Sequence, residues 1–368
     1  MPLKPLAAAL CGLCLAAQAQ ATTSIWAPQA TPQAALLGDY HAVSCEKTPP
    51  PAYTGPLQLQ SKYDQSDVTK STLSGRQDAS TKQIQAQVKT YIGGLIQASK
   101  YFQRAKDGER ATLAVGCFDQ WLEAWARGGA LLNPDASSTG MAGRKWALAA
   151  IAGSVLRVQA LSDGRFRLST SERDWLQRLA ERVIAEYQPR RTAEFRYFNN
   201  HDYWAGWAVS ATGMALGRDD FIAWGDGSLR RALQQITPST HGDYAYLPLE
   251  VARGKLASTY TQYALVPLML LVETAEANGR PLSPEEQRKL QQLATFAARA
   301  AMEPDTLDEL GGQSQEDPAT YKLVWLLPFL ARYPQHPWAR KLYQEEDGEV
   351  DNYSQIGGAI KPFYPRAH

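Results

Sequence analysis

The stretch Ile84-Gln85-Ala86-Gln87-Val88-Lys89-Thr90-Tyr91-Ile92-Gly93-Gly94-Leu95-Ile96 decides the fold class. Ile84, Val88, Ile92, Leu95 and Ile96 recur at i, i+4, i+8, i+11 and i+12, which is one face of an α-helix and not the alternation of a strand. The same period continues downstream. Leu113, Phe118, Trp121, Leu122 and Trp125 mark a second helix ending near Gly128-Gly129, and a third runs from about Gly143 to Leu161. Ser169 and Glu172 stand at capping-box spacing before Leu176, Leu179, Val183 and Tyr187, so a fourth helix starts there and stops before Pro189. Further helical patterns cover roughly 202–216, 219–236, 254–278, 284–302 and 318–333. Strand-like alternation is scarce and there is no heptad run. The prediction is an all-α globular protein of helical hairpins.

Upstream of this stretch the character changes. A Pro-rich lead-in, Pro49-Pro50-Pro51 to Pro56, is followed by residues 60–80, rich in Ser, Thr, Asp and Gly and almost without apolar side chains, which reads as a mobile loop able to close over a ligand. The N-terminus has Lys4, an apolar run from Leu6 to Ala17 too short to span a bilayer, and small residues before a cleavage point at Ala19 or Ala21. Residues 1–21 are therefore expected to be a secretory signal peptide, leaving 22–368 as one domain in the periplasm or secreted. Cys11 and Cys14 leave with that segment, so Cys45 and Cys117 are the pair expected to form a disulfide in an oxidising compartment.

The full chain has 368 residues with 38 Lys plus Arg against 37 Asp plus Glu, which excludes a strongly basic nucleic-acid binder, an acidic tail protein and a disordered chain. No internal apolar run approaches the roughly 18 residues of a membrane span. No partner in the membrane or among nucleic acids is expected, and a monomer is the simplest state. Scattered histidines and two remaining cysteines lack ligand spacing, so neither a metal nor a cofactor is expected. His41, His241, His336 and His368 have no partner in sequence and read as surface residues.

Four stretches could carry chemistry. In Tyr197-Phe198-Asn199-Asn200-His201-Asp202-Tyr203-Trp204-Ala205-Gly206-Trp207, amides, an imidazole and aromatics enter a helix together, where free N–H groups favour an anion. His201 and Trp204 share a face, so Trp204 could be an aromatic wall for a sugar ring; the same pattern also allows the aromatics to be core and Asn200 a helix cap. If a helix spans Arg253 to Tyr260, the two side chains lie on one face about 10 Å apart, and a bent guanidinium could lower the phenol's pKa. Ser61-Lys62-Tyr63 places a cation and an aromatic in the polar loop. Ser138-Thr139-Gly140 precedes Arg144-Lys145-Trp146 at a helix start. No nucleophile elbow, phosphate loop or dinucleotide fingerprint is present.

Together these stretches resemble the mannuronate-type alginate lyases of polysaccharide lyase family five. The resemblance runs from Cys45 and Ser61-Lys62-Tyr63 through Arg144-Lys145-Trp146-Ala147-Leu148, Asn199-Asn200-His201 with Tyr203-Trp204, Leu247-Pro248, Glu250, Tyr260 and Tyr263-Ala264-Leu265 to Gly357-Gly358. It implies an incomplete α/α toroid with a deep cleft and β-elimination of a 1,4-linked polyuronate. It also implies that Asn200, His201 and Arg253 neutralise the C6 carboxylate, while Tyr260 removes the C5 proton and returns one to the leaving O4. Ser61, Lys62, Tyr63, Ser138, Thr139, Arg144, Trp146 and Trp204 would contact the anionic polysaccharide. Departures at Ser138-Thr139, Leu249 and Thr261-Gln262 surround the cleft and bear on the choice of uronate, which leaves polyglucuronate or hyaluronan open beside alginate. A non-catalytic polysaccharide-binding protein and a glycoside hydrolase are the alternatives from other classes; the hydrolase would need two spaced carboxylates, with Asp202 and Glu250 as the candidates.

Overall fold

A computed structural model describes residues 22–67 and 69–365; the expected signal peptide and His368 lie outside the described residues. The helices are α1 (Pro32–Leu36), α2 (Ala79–Arg104), α3 (Gly108–Arg127), α4 (Ser138–Leu161), α5 (Thr170–Tyr187), α6 (Asn200–Leu216), α7 (Asp219–Gln235), α8 (Pro248–Val251), α9 (Ala257–Ala277), α10 (Pro284–Met302), α11 (Leu326–Arg332) and α12 (Pro337–Glu345). Two short antiparallel pairs, Thr237–Pro238 with Ala245–Tyr246 and Asn352–Tyr353 with Gly358–Ala359, are the only sheets among the described residues.

The helices form two rows. α2, α4, α6 and α9 pack on one another in that order, and α3, α5, α7 and α10 cover them from outside, so each inner helix forms a hairpin with the outer helix that follows it. The sequence explains the division. α4, α6 and α9 bury residues all round, as a helix walled on every side requires, while α5, α7 and α10 bury one stripe and leave charged residues outside. The α2–α3 hairpin closes tightly because Gly94 admits the Trp121 ring; a Cβ there would overlap it. Ser354–Ile356 of the C-terminal segment packs against α4 and α2, so the chain's end meets its first hairpin.

Local chemistry sets the boundaries. Ser169 and Glu172 form the expected capping box of α5. α4 begins at Ser138 rather than near Gly143, because the Ser137 hydroxyl accepts from the Gly140 N–H at 3.1 Å and caps the helix there. The pattern over 318–333 divides into a 3-10 turn, Thr320–Trp325, and α11. Pro328 has no N–H to donate and sits in the first turn of α11, where that N–H would have no partner within the helix. His336 departs from expectation: it is 8% exposed and its Nδ1 accepts from the Ala339 N–H, capping α12. His41 and His241 are exposed, and each faces a carboxylate, Asp119 and Asp308.

Cys45 and Cys117 form the expected disulfide, joining the N-terminal lead-in to α3 across 72 positions. A loop of that length is worth about 4 kcal/mol in the chain-entropy account. Cys117→Ser should therefore lower the unfolding free energy by roughly that amount in a urea titration. An unchanged midpoint would show that the closed loop is not what the crosslink stabilises.

Candidate active site

The site is built at the start of α6. Asn199, not Asn200, is its cap: the Asn199 side chain accepts from the His201 N–H at 3.0 Å, and Asp202 Oδ2 accepts from the Asn199 N–H at 3.0 Å. Asp202 is also gripped by two Arg190 N–H groups, each at 2.7 Å. This leaves Asn200 free of the capping role. Its Nδ2 and backbone N–H donate to the two Glu250 oxygens at 2.7 and 2.9 Å, which fixes the amide plane. Burial pushes the Glu250 carboxyl up to about 7 against the opposing pull of Asn200 and Arg253.

His201 follows Asn200, with its ring against Trp146 at 5.6 Å between centroids. Its Nδ1 lies 2.8 Å from Lys145 Nζ, which also donates to the Tyr187 hydroxyl at 3.0 Å. Burial first, and then the charges of Lys145, Arg190 and Arg253, hold the imidazole well below its ordinary pKa, so it is neutral.

Arg253 and Tyr260 meet more closely than one helix face would allow. The chain turns sharply after α8, through Gly254 at φ +59°, and a 3-10 turn, Gly254–Leu256, leads into α9. The expected helix through Arg253 is therefore absent. The turn brings the guanidinium 3.8 Å from the Tyr260 ring centroid. From the 60–80 segment, the Tyr63 hydroxyl accepts from the Tyr260 hydroxyl at 2.7 Å, and the Lys70 carbonyl accepts from Arg253 Nη2 at 2.8 Å. That segment is a folded-back hairpin, with Tyr63 bridged to Leu73 and the Asp67 carboxylate collecting the Thr69, Ser71 and Thr72 N–H groups. The net effect on Tyr260 is the reverse of the expected lowering. Burial raises the phenol more than Arg253 lowers it.

These groups open into a cleft of about 520 Å³. Ser61, Lys62, Tyr63, Ser138, Thr139, Trp146, Asn200, His201, Arg253 and Tyr260 all line it. Two expected residues do not. Arg144 is fully buried, paired with Glu186 and bonded to the Leu131 and Asn133 carbonyls, because its position on α4 turns it toward α5. Trp204 is fully buried as well and stands behind the wall, 5.2 Å from the Tyr263 ring.

The wall itself includes residues that sequence reasoning missed: Gln85, Tyr321, Lys322, Tyr353 and Gln355. Gln355 ties it together, donating to the Tyr263 hydroxyl and accepting from Tyr353, both at 2.7 Å. Lys62, Lys70, Arg253 and Lys322 line the cleft, and no Asp or Glu does. Such a surface is complementary to a polyanion. Asp202 and Glu250 lie outside the lining and are bound to Arg190 and Asn200, so the carboxylate pair of a hydrolase is not assembled here. Among the described residues no cluster of three His, Cys, Asp or Glu could hold a metal, and no helix is long and apolar enough to cross a membrane.

The alginate lyase profile matches residues 58–307, which contain the lining of this cleft apart from Tyr321, Lys322, Tyr353 and Gln355. The chain is 33% identical to an alginate lyase of Pseudomonas putida strain F1, over 87% of this chain and 85% of that one. It is 31% identical to an alginate lyase of Pseudomonas aeruginosa strain PAO1, over 88% and 86%. Among solved structures it resembles alginate lyase A1-III from Sphingomonas species A1, with a TM-score of 0.63 at 19% identity over 92% of both chains. A variant of A1-III complexed with a tetrasaccharide gives a TM-score of 0.65 at 18% identity, covering 92% of this chain and 91% of that one. The two rows of hairpins are thus an α/α toroid, and the chain belongs to the alginate lyase family.

Proposed function

We propose that the protein is an exported polysaccharide lyase that cleaves 1,4-linked polyuronate, polymannuronate by preference, through β-elimination. The observation that carries this reading is the cleft lined by Asn200, His201, Arg253 and Tyr260 together with Lys62, Lys70 and Lys322 and no carboxylate. Membership of the alginate lyase family supports the same reaction class. The Cys45–Cys117 disulfide supports an oxidising compartment.

The chemistry follows from the donors. The C5–H of a uronate becomes acidic only when the negative charge of the adjacent C6 carboxylate is masked. Asn200 Nδ2, a neutral His201 donating through Nε2–H, and the Arg253 guanidinium supply donors on that side. The Tyr260 phenolate then takes the C5 proton, the C–H electron pair forms the C4=C5 double bond, and the C4–O4 bond breaks. The proton on Tyr260 passes to the departing O4, so phenol and phenolate alternate and no water is consumed. Arg253 favours the phenolate and opposes the effect of burial. The 61–74 hairpin, joined to the site through Tyr63 and the Lys70 carbonyl, serves as a lid that must part from Tyr260 when a sugar ring enters.

Purified protein incubated with polymannuronate, polyguluronate, polyglucuronate and hyaluronan should produce the ultraviolet absorbance of an unsaturated uronate fastest with polymannuronate. Absorbance with another polymer in first place would overturn the preference. Binding without absorbance on any of them would favour a non-catalytic polysaccharide-binding protein, and release of reducing sugar without absorbance would favour a hydrolase.

A further inference from the structure

We infer that Lys145 is a positioning residue for the elimination: its buried ammonium donates to His201 Nδ1, locks the imidazole in the Nε2–H tautomer and sets a fixed positive charge behind it, facing the substrate carboxylate through the ring. The inference rests on the lyase reading above and adds to it a residue that does not line the cleft.

The geometry is specific. Lys145 is fully buried on α4, and its Nζ is held between the Tyr187 hydroxyl at 3.0 Å and His201 Nδ1 at 2.8 Å. The faces of Trp146 and Tyr187 close around the ammonium, at 4.5 and 5.1 Å from Nζ to the ring centroids. An ammonium has three donors and no lone pair, so a charged Lys145 can meet Nδ1 only if that nitrogen is the acceptor. The single ring proton then sits on Nε2, on the nitrogen left free for the cleft. Two bases 2.8 Å apart cannot both be protonated, and lysine is by far the stronger. Burial pushes both down, and the adjacent cation pushes His201 further.

The arrangement suits the reaction. An imidazolium at His201 could itself lose its proton to the uronate carboxylate. A neutral imidazole backed by a cation donates a polarised N–H and keeps the charge in place as the dianionic intermediate forms. The other charged groups near His201 are already committed: Arg190 from the segment after α5 is paired with Asp202 on α6, Glu250 from α8 is bonded to Asn200, and Arg253 is stacked on the Tyr260 ring and bonded to the Lys70 carbonyl. Lys145 is the cation whose hydrogen bond ends on the imidazole itself.

Two variants separate tautomer from charge. Lys145→Met removes both at nearly constant volume, whereas Lys145→Gln retains an N–H for Nδ1 without the charge. On polymannuronate, Lys145→Met should lose about a hundredfold in kcat with KM within a few-fold, as expected for removal of a group that supports a donor from behind. Its kcat/KM should also fall away at the acid end at higher pH than in the wild type, because His201, relieved of the adjacent cation, takes a proton more readily. Lys145→Gln should recover the tautomer but neither the rate nor the acid limb.

The tautomer is read independently of turnover by nitrogen-15 NMR of the histidine rings in the wild-type protein, assigned with His201→Gln. A spectrum with the His201 proton on Nδ1, or with an imidazolium at neutral pH, overturns the proposal even if Lys145→Met does not fold. A folded Lys145→Met with a wild-type pH profile overturns it as well. If the wild type eliminates no polyuronate while NMR finds the Nε2–H tautomer, the lyase reading fails and the Lys145–His201 geometry stands.

Discussion

Tyr260→Phe should lower turnover of polymannuronate by about a thousandfold while polymer binding stays within a few-fold of the wild type. The substitution removes one oxygen. The ring keeps its edge-on contact with Tyr263 at 6.1 Å and its place beside Arg253, so the fold has no reason to change. What disappears is the atom proposed to take the C5 proton and to hand a proton to O4, together with its hydrogen bond to Tyr63. Initial-rate absorbance measurements and calorimetric titration with a mannuronate oligomer check the two halves separately. Activity within tenfold of the wild type would remove Tyr260 from the proposed role and turn attention to Tyr63, the other phenol beside Arg253, at 5.7 Å from guanidinium to ring centroid.

Arg253→Ala should cost nearly as much, about a hundredfold to a thousandfold in kcat/KM, and should also move the pH profile. Burial raises Tyr260 and Arg253 works against it, so the phenolate fraction, and with it kcat/KM, should increase as pH rises on the alkaline side. Removing the guanidinium takes away the lowering influence. The phenol's pKa then rises further, and the alkaline increase begins at higher pH in the variant than in the wild type. The variant also loses the bond to the Lys70 carbonyl, so the 61–74 hairpin is held less firmly and KM should rise too. Rate profiles of both proteins against pH on one substrate settle the sign. A variant profile superimposable on the wild type would mean that Arg253 only binds substrate and does not act on the base.

How much of this could be read from the chain differs from residue to residue, for physical reasons. Helical periodicity is local, and the face marked by Ile84, Val88 and Leu95 is the one α2 turns toward its neighbours. The Asn199-Asn200-His201-Asp202 run was recognisable as a helix entry, but which asparagine caps depends on a backbone turn, and Asn199 took that role. Arg144 and Lys145 were indistinguishable as cleft cations. They are adjacent on α4, about 100° apart around its axis, and that helix is walled on every side, so no polar face identifies the direction of either. Packing sends Arg144 to Glu186 and Lys145 to His201. Trp204 failed as a wall residue on the same ground, since a buried inner helix gives aromatic residues no outward signal.

By itself the sequence determined an all-α chain of hairpins and, through its resemblance, pointed to Asn200, His201, Arg253 and Tyr260, which line one cleft, because periodicity and motif are short-range properties. Only the tertiary structure decided which charges act together. The near balance of 38 basic and 37 acidic residues conceals a cleft that gathers Lys62, Lys70, Arg253 and Lys322 from three parts of the chain and excludes every carboxylate from its lining. Coulomb interactions depend on separation in space, and residues 62 and 322 become neighbours across one cleft only after the toroid has folded.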